Sequence, residues 1–541
     1  MLNKKNIPEN REFTLDHNYV FDFNFYLSRI REGQERRWLV SEKYYHKEHL
    51  PSLFQILYLY MGKLGGLFGL DPTTIYHGAR IIFGLVLLIS ILTILGNLWD
   101  KKKTILIFLL VATGGSWPIL VKVTEGISVL GYRCATYMGW WSSQDSLQRI
   151  TYIPHVLVGQ ILLLWFIKCH SEELATKNPV GIKTAWLRMT ALGILGVISG
   201  IIFPPALIIL YAWFGVESIL EFLLEKKWLN GQMAKWLKNV IVPRVVFFLL
   251  SVWALIYAQV MFQVLPWSTL ATFDIRHRMP LPLKDYILSL GPVFVLGVLG
   301  GVGALWKKEK KMYPFVSWIV ANFLLIFLFW NVPTQSPLRF TQSAIYIPSG
   351  ILAGYFFIKL ISLARRYLGN LRHLGYLGIG ALYCTTIAVG LFVMVSMVGW
   401  LTDQVVSKRT GTFLYPTGAV LIYPTKDFMS GIYFLKDQTN QKSVVLSAET
   451  AGNFIPAYAG NYVYYGHANT PDDDEKKKII EKFFSGKMSQ EEAGKFLKSD
   501  GIRYVYFGPQ EREFASNKDL TEFYPFLKEM YSNKNVILYR I

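Results

Sequence analysis

The chain has 541 residues, of which 52% are hydrophobic, 15% aromatic and only 17% charged, and its formal net charge is +19. Soluble domains carry roughly 25% charged residues, and here the apolar residues gather in long blocks up to about residue 400, which excludes a wholly soluble protein and implies a polytopic membrane protein with an appended domain. The basic excess falls mostly in short loops between apolar blocks, and the remainder has no basic stripe with interleaved aromatics, so nucleic acid is not an expected partner.

The opening stretch MLNKKNIPENREF is polar and has no apolar signal core. After Asp16 and His17 comes DFNFYLSRIREGQ (22–34). Phe21, Phe25, Tyr26 and Ile30 fall on one side of a helix, with Arg29, Arg31 and Glu32 largely elsewhere, which predicts an amphipathic helix resting its aromatics in the membrane interface. Asp22 at its start has two readings: a general base or divalent-cation ligand beside the membrane, or a helix N-cap. His46, Glu48 and His49 form H-x-E-H, a pattern for metal ligation or acid–base work whose spacing matches no closed zinc site. Its alternative is a polar turn ahead of the helix that Pro51 begins. Residues 50–70 are apolar but interrupted by Lys63 and glycines; Leu53, Ile56, Leu57, Tyr60 and Leu64 share a face, so an interfacial helix is predicted rather than a span.

Ten spans follow, at about 74–98, 104–121, 153–169, 187–203, 204–222, 241–263, 285–305, 313–330, 342–363 and 376–400. Breaks are expected at Pro204-Pro205 and around Gly297, Gly300, Gly301 and Gly303. The loops 99–103, 168–188, 225–240, 306–312 and 364–375 hold 18 Lys/Arg in 61 residues, against 7 in 63 for 122–152, 264–284 and 331–341. The first set is therefore expected in the cytoplasm, with residues 1–73 and everything after 401 outside. An outside N-terminus of this length without an upstream signal implies a preceding helix that is missing here, through a late start or a truncation. His77 and Arg80 lie at the outer end of the first span, where Arg80 can receive a phosphate or snorkel. The outer loops supply Arg133, Trp140, Trp141, Asp145 and Arg149, then His155 at the mouth of the third span, and later Arg276, His277 and Arg278. The arginines suit a phosphate or diphosphate, or anionic headgroups. Trp141 suits a sugar ring or an interface anchor.

The last 140 residues alternate short strands and helices. SVVLSA (443–448), RYVYFG (503–508) and VILYRI (536–541) read as strands, and KKKIIEKFFSG and SQEEAGKFLKSDG as helices, with Ser489 and Glu492 fitting a capping box. Cys134, Cys169 and Cys384 are far apart and imply neither disulfides nor a metal site. No phosphate-binding Gly-Lys-Ser/Thr loop, G-x-S-x-G elbow or kinase set occurs.

An outer loop with an early Asp, interfacial helices, many spans and an outside α/β domain resembles the GT-C glycosyltransferase superfamily. DFNFYLSRIREGQ, then EHLP, LYLYMGKL and YHGAR, are similar to the first outer loop of its bacterial members, and IPAYAGNYVYYGHANT, YVYFGPQER and VILYRI to their outside domain. The resemblance implies a mainly α, polytopic helical membrane bundle with a small C-terminal extracytoplasmic α/β domain. Its parts are a first outer loop (1–73), a bundle (74–401) and the outer domain (402–541). It implies a transferase moving a hexosyl or pentosyl group from a polyprenyl-phosphate sugar to an acceptor glycan, lipid or protein at the outer face of a bacterial inner membrane. Asp22, with Glu48 and His49, takes the acidic catalytic position; Mg or Mn at Asp22 is an open expectation. Arg80, Arg276 and Arg278 are expected on the donor phosphate, and His46, Trp141 and His155 on sugar or acceptor. Gly466-His467 and Gly508-Pro509 match points of the outside domain and otherwise read as turns. The chain departs from the family in having no helix before the Asp loop. A flippase of lipid-linked intermediates or a non-catalytic envelope assembly protein are the alternative functions.

Overall fold

The computed structural model describes residue 7 and residues 9–175, 182–224, 233–410 and 423–541. Contacts divide the chain into two units: Met1–Ala79, Val260–Phe273 and Gln404–Ile541 form a sheet-containing unit, and Arg80–Gln259 with Asp274–Asp403 a helical one.

Apolar composition over a sufficient length makes the chain an integral membrane protein. Among the described residues six helices are long and apolar enough to cross a bilayer: Pro72–Leu98 (α3), Pro204–Leu224, Val242–Met261, Lys310–Leu328, Tyr346–Tyr367 and Gly369–Asp403. A seventh crossing would be the pair Leu283–Ser289 and Gly291–Trp306, bent by 87°. Pro154–Cys169 and Ala191–Ile202 are apolar stretches of the helices Pro154–Ala175 and Ile182–Ile202. Most of the ten expected spans fall on these helices, and not all of them are unbroken. The clearest departure is 104–121. The helix Lys101–Thr113 (α4) stops short of its end, and Pro118–Lys122 is a strand (β1) paired antiparallel with Tyr132–Thr136 (β2). Its cause is a backbone contact: Gly291, with φ +65°, lies where a Cβ would meet the Gly115 carbonyl at 1.7 Å. That approach excludes a side chain at the bend and turns the chain out of α4.

The glycines read as helix breaks do another job. Gly297 and Gly300 lie within the unbroken helix Gly291–Trp306, where a Cβ would meet the carbonyls of Ser349 and Leu352 at 2.5 and 2.0 Å. Small residues let two apolar helices approach backbone to backbone, which is how packing is gained where lipid offers no hydrophobic contrast. The Phe203-Pro204-Pro205 corner does separate two helices, Ile182–Ile202 and Pro204–Leu224.

In the other unit, a five-stranded sheet has the order β4-β3-β5-β7-β6, from Val444–Leu446 (β3), Tyr462–Val463 (β4), Ile502–Phe507 (β5), Lys528–Ser532 (β6) and Ile537–Arg540 (β7). β4, β3 and β5 run parallel; β7 is antiparallel to both β5 and β6. Side chains alternate between faces with the period of two. Val444, Leu446, Val505, Phe507, Ile537 and Tyr539 enter one core with helices Asp473–Phe484 and Gln490–Ser499, and Val445, Tyr506 and Leu538 enter the other. The three strands and two helices expected here are present, and Ser489 caps its helix by accepting the Glu492 N–H.

The helix at 20–34 is present but differs in setting. α1 (Val20–Gln34) is buried on most of its sides, so the reading of an interfacial helix with its charges turned away is corrected. Val20 and Phe25 belong to the second core of the sheet. Asn24 donates to the Asn453 side chain at 2.7 Å, tying α1 to the helix Glu449–Tyr458. Gly33 and Gly62 let α1 and α2 (Ile56–Gly66) touch at the backbone, since a Cβ on either would lie 1.9 Å from Leu59 O or 1.8 Å from Ile30 O. The charges are satisfied inside. Arg29 donates to Glu42 at 2.5 Å and Glu32 at 3.1 Å, and Lys43 to both Glu35 oxygens at 2.8 Å. α2 keeps Tyr60 and Leu64 exposed, with Leu67 and Phe68 just beyond it.

Candidate active site

Asp22 sits in the first turn of α1, where a carboxylate complements the helix dipole. It is not the cap: the N-cap is Tyr19, which makes no side-chain cap hydrogen bond. The side chain is 45% exposed, and Oδ1 lies 3.7 Å from Nε2 of His467, which is itself 2% exposed. The imidazole is fixed from three directions. Its Nδ1 accepts the Asn469 N–H at 3.0 Å, so the neutral ring carries its proton on Nε2, the nitrogen facing Asp22. Its face stacks on Phe25 at 4.6 Å, one turn along α1 from Asp22, and Tyr44 packs 5.4 Å away. His467 Nε2 has no hydrogen-bond partner among the described residues.

The local sequence explains the placement. His467 follows β4 at the C-terminal end of the parallel strands, the edge where α/β sheets gather ligand chemistry. Gly466 and Gly452 meet backbone to backbone, a Cβ on Gly466 falling 2.2 Å from the Gly452 carbonyl carbon, so neither accepts a side chain. The same edge holds the Glu449 carboxylate, which takes the Tyr465 hydroxyl at 2.7 Å. Burial, then the charges of Asp22 and Glu449, raise the Tyr19 hydroxyl above its usual range, which puts both carboxylates near that ring. Ser447, Thr450, Asn469 and Thr470 each bury a side-chain oxygen with no partner among the described residues. Reading Gly466-His467 as a turn missed this contact; the available signal was a Gly-His pair directly after a parallel strand.

The loop carrying His46, Glu48 and His49 is pinned by an isolated bridge between Val40 and Ser52. His49 is engaged on both nitrogens: Nδ1 donates to Lys47 O and Nε2 accepts the Glu42 N–H, each at 2.8 Å. His46 Nε2 lies 2.9 Å from Asp500 Oδ1. Glu48 is exposed. All three line a cavity of about 1060 Å³ that also takes in Glu35, the residue following α1. Asp22 and Glu35 are separated by most of α1, about 20 Å at 1.5 Å per residue. The structure therefore does not bring Glu48 and His49 to Asp22. Nor, among the described residues, do three His, Cys, Asp or Glu groups meet where they would hold a metal ion.

The remaining expected residues belong to the helical unit. Arg80 donates Nε and Nη2 to Thr151 O at 2.8 and 2.5 Å. Arg276 ends the helix Ser268–Arg276 and is exposed. Arg278, also exposed, donates to Trp330 O at 2.6 Å and Val332 O at 3.1 Å. Trp141 donates Nε1 to Thr341 Oγ1 at 2.8 Å, and His155 tilts against Phe203 at 5.7 Å. Arg149 lies buried over the Tyr346 ring and donates to Gly114 O.

No family model matches the chain, and no curated protein matches it by sequence. Solved structures do match in fold. One is an archaeal oligosaccharyltransferase, AglB from Archaeoglobus fulgidus, in complex with an inhibitory peptide and a dolichol-phosphate. It has a TM-score of 0.53 at 11% identity, over 100% of this chain and 72% of that one. Another is ArnT from Cupriavidus metallidurans in the apo state, with a TM-score of 0.50 at 11% identity, over 97% of this chain and 94% of that one. The likeness is one of fold, and the fold of this chain is GT-C-like.

Proposed function

We propose that this GT-C-like chain is a membrane glycosyltransferase that moves a sugar, hexosyl or pentosyl, from a polyprenyl-phosphate donor to an acceptor glycan, lipid or protein. The observation that carries the reading is the Asp22 carboxylate: half-exposed, in the first turn of α1, and 3.7 Å from the buried Nε2 of His467. Support for the donor class comes from the dolichol-phosphate held by the oligosaccharyltransferase of like fold. In the proposed step the acceptor attacks the anomeric carbon, the bond from that carbon to the phosphate oxygen breaks, and polyprenyl phosphate leaves. Asp22 takes the acceptor proton as general base. His467, with its proton on Nε2, holds the carboxylate in position without touching substrate. Arg276 and Arg278 offer guanidinium charge to the leaving phosphate. Arg80, which donates to Thr151 O, is a third candidate for that phosphate. No step is routed through a cation. We further propose that the sheet-containing unit works outside the cytoplasm, as the loop charges require.

The test is transfer from a polyprenyl-phosphate sugar by reconstituted protein, comparing wild type with Asp22→Asn. The reading expects transfer to fall by about 10²–10⁴-fold, the usual scale of a general base. Undiminished transfer by the variant would remove Asp22 from the reaction.

A further inference from the structure

We propose that the cavity at the C-terminal end of α1 is a second ligand site, one that takes an anionic oligosaccharide. The cavity has a volume of about 1060 Å³, at the upper end of ordinary ligand sites and larger than a single sugar ring requires. Its charged lining comprises Arg37, Lys47, Lys436 and Lys442 against Glu35 and Glu48. One of those acids is already neutralised, because both Glu35 oxygens receive Lys43 Nζ at 2.8 Å. Lys47, Lys436 and Lys442 are exposed and form no ion pair among the described residues. Three cations facing one basin, with little acid to offset them, attract an anion.

Charge alone would suit any anion. Two further observations narrow the class. His46 lines the cavity with its side chain 2% exposed; Asp500 holds Nε2 at 2.9 Å, and Nδ1 has no partner among the described residues. Burial, followed by the nearby charge of Lys476, drives the imidazole pKa down to about 4, so the ring is neutral at pH 7. With its proton on the Asp500 side, Nδ1 is a buried acceptor that needs a donor, and a bare phosphate or carboxylate supplies none. A sugar hydroxyl does. At the rim, Trp38 is 70% exposed, with Lys63 Nζ 3.9 Å from its ring centroid, leaving indole surface open to the apolar face of a pyranose. The shared requirement is a chain of hydroxyl-bearing rings that also carries carboxylate or phosphate. The site lies about 20 Å along α1 from Asp22, and the inference does not depend on the transfer reaction.

Binding to the full chain in detergent tests this, with oligogalacturonate hexamer, maltohexaose and inorganic pyrophosphate as probes. The hexauronate should bind at least about tenfold more tightly than either of the others. That affinity should fall as salt rises, as exposed cations require. The exposed double variant K436E/K442E should lose about tenfold or more in hexauronate affinity while keeping the wild-type melting temperature. His46→Phe should weaken the hexauronate several-fold. If pyrophosphate matches the hexauronate, the site reads bare anions and the saccharide assignment falls. Equal binding of maltohexaose and hexauronate, wild-type affinity in the double variant, or no measurable hexauronate binding would each overturn the proposal.

Discussion

At the scale of single residues, the paired groups Asp22 and His467 carry the account. If His467 acts only by holding the carboxylate, its removal should lower kcat and leave KM for the donor nearly unchanged. We expect His467→Ala to lose about tenfold in kcat, and His467→Gln, which restores an N–H donor, to recover part of it. Equal losses in Ala and Gln variants, or a loss confined to KM, would argue for packing alone. The exposed arginines predict the reverse split. Replacing Arg276 and Arg278 together by Ala should raise KM for the donor about tenfold or more, since a charge-assisted contact contributes roughly 1.5–3 kcal/mol. His46 gives a pH prediction. With its folded pKa near 4 against the ordinary 6.5, the folded chain binds fewer protons than the unfolded chain between those values. Stability from this group is therefore fully present above pH 6.5 and is lost as pH falls towards 4. Melting temperatures scanned across that window should fall less steeply for His46→Gln than for the wild type; parallel curves would contradict the assignment.

At the scale of elements, the α1–α2 contact is set by two glycines. A side chain at 62 would have to enter a space where Ile30 O lies 1.8 Å away, so the helices must part. Gly62→Val should destabilise the sheet-containing unit by about 3 kcal/mol or more, at the upper end for overpacking, and a melt of the purified variant reads it directly. The same elements show what was legible beforehand. The strands at 444–446, 502–507 and 537–540 announce themselves because parallel and central strands are continuous apolar runs. The burial of α1 did not, because Arg29 and Glu32 look like a wet face in sequence. Their partners Glu42 and Ser41 lie on a later loop, and an internal ion pair leaves no trace in helical periodicity. Likewise, 104–121 scored as a span because apolar content is blind to the backbone contact between Gly115 and Gly291.

At the scale of the whole molecule, the membrane character and the appended α/β domain were readable from block hydropathy, and the GT-C-like fold from the resemblance of the outer loop and outside domain to that superfamily. The strand pair that interrupts 104–121 and the 87° bend between Leu283–Ser289 and Gly291–Trp306 were not, since broken and bent apolar segments satisfy the same composition. Half of the candidate site was readable too: Asp22 stood out as an acid at the head of a helix. His467 lies 445 positions further on, and no local rule links the two. Orientation is open to a direct check. A phosphatase fused after Ile541 in a bacterial host should be active, and a cytoplasm-dependent fluorescent protein at the same point dark; the opposite pattern would reverse the proposed topology.

The most direct measurement of the central claim is release of polyprenyl phosphate from a polyprenyl-phosphate sugar by the purified chain in proteoliposomes. The account predicts release coupled one-to-one to glycosylated acceptor, lost by about 10²-fold or more in Asp22→Asn. Folded protein that releases no polyprenyl phosphate from any hexosyl or pentosyl donor, or an Asp22→Asn variant that releases it at the wild-type rate, would contradict it.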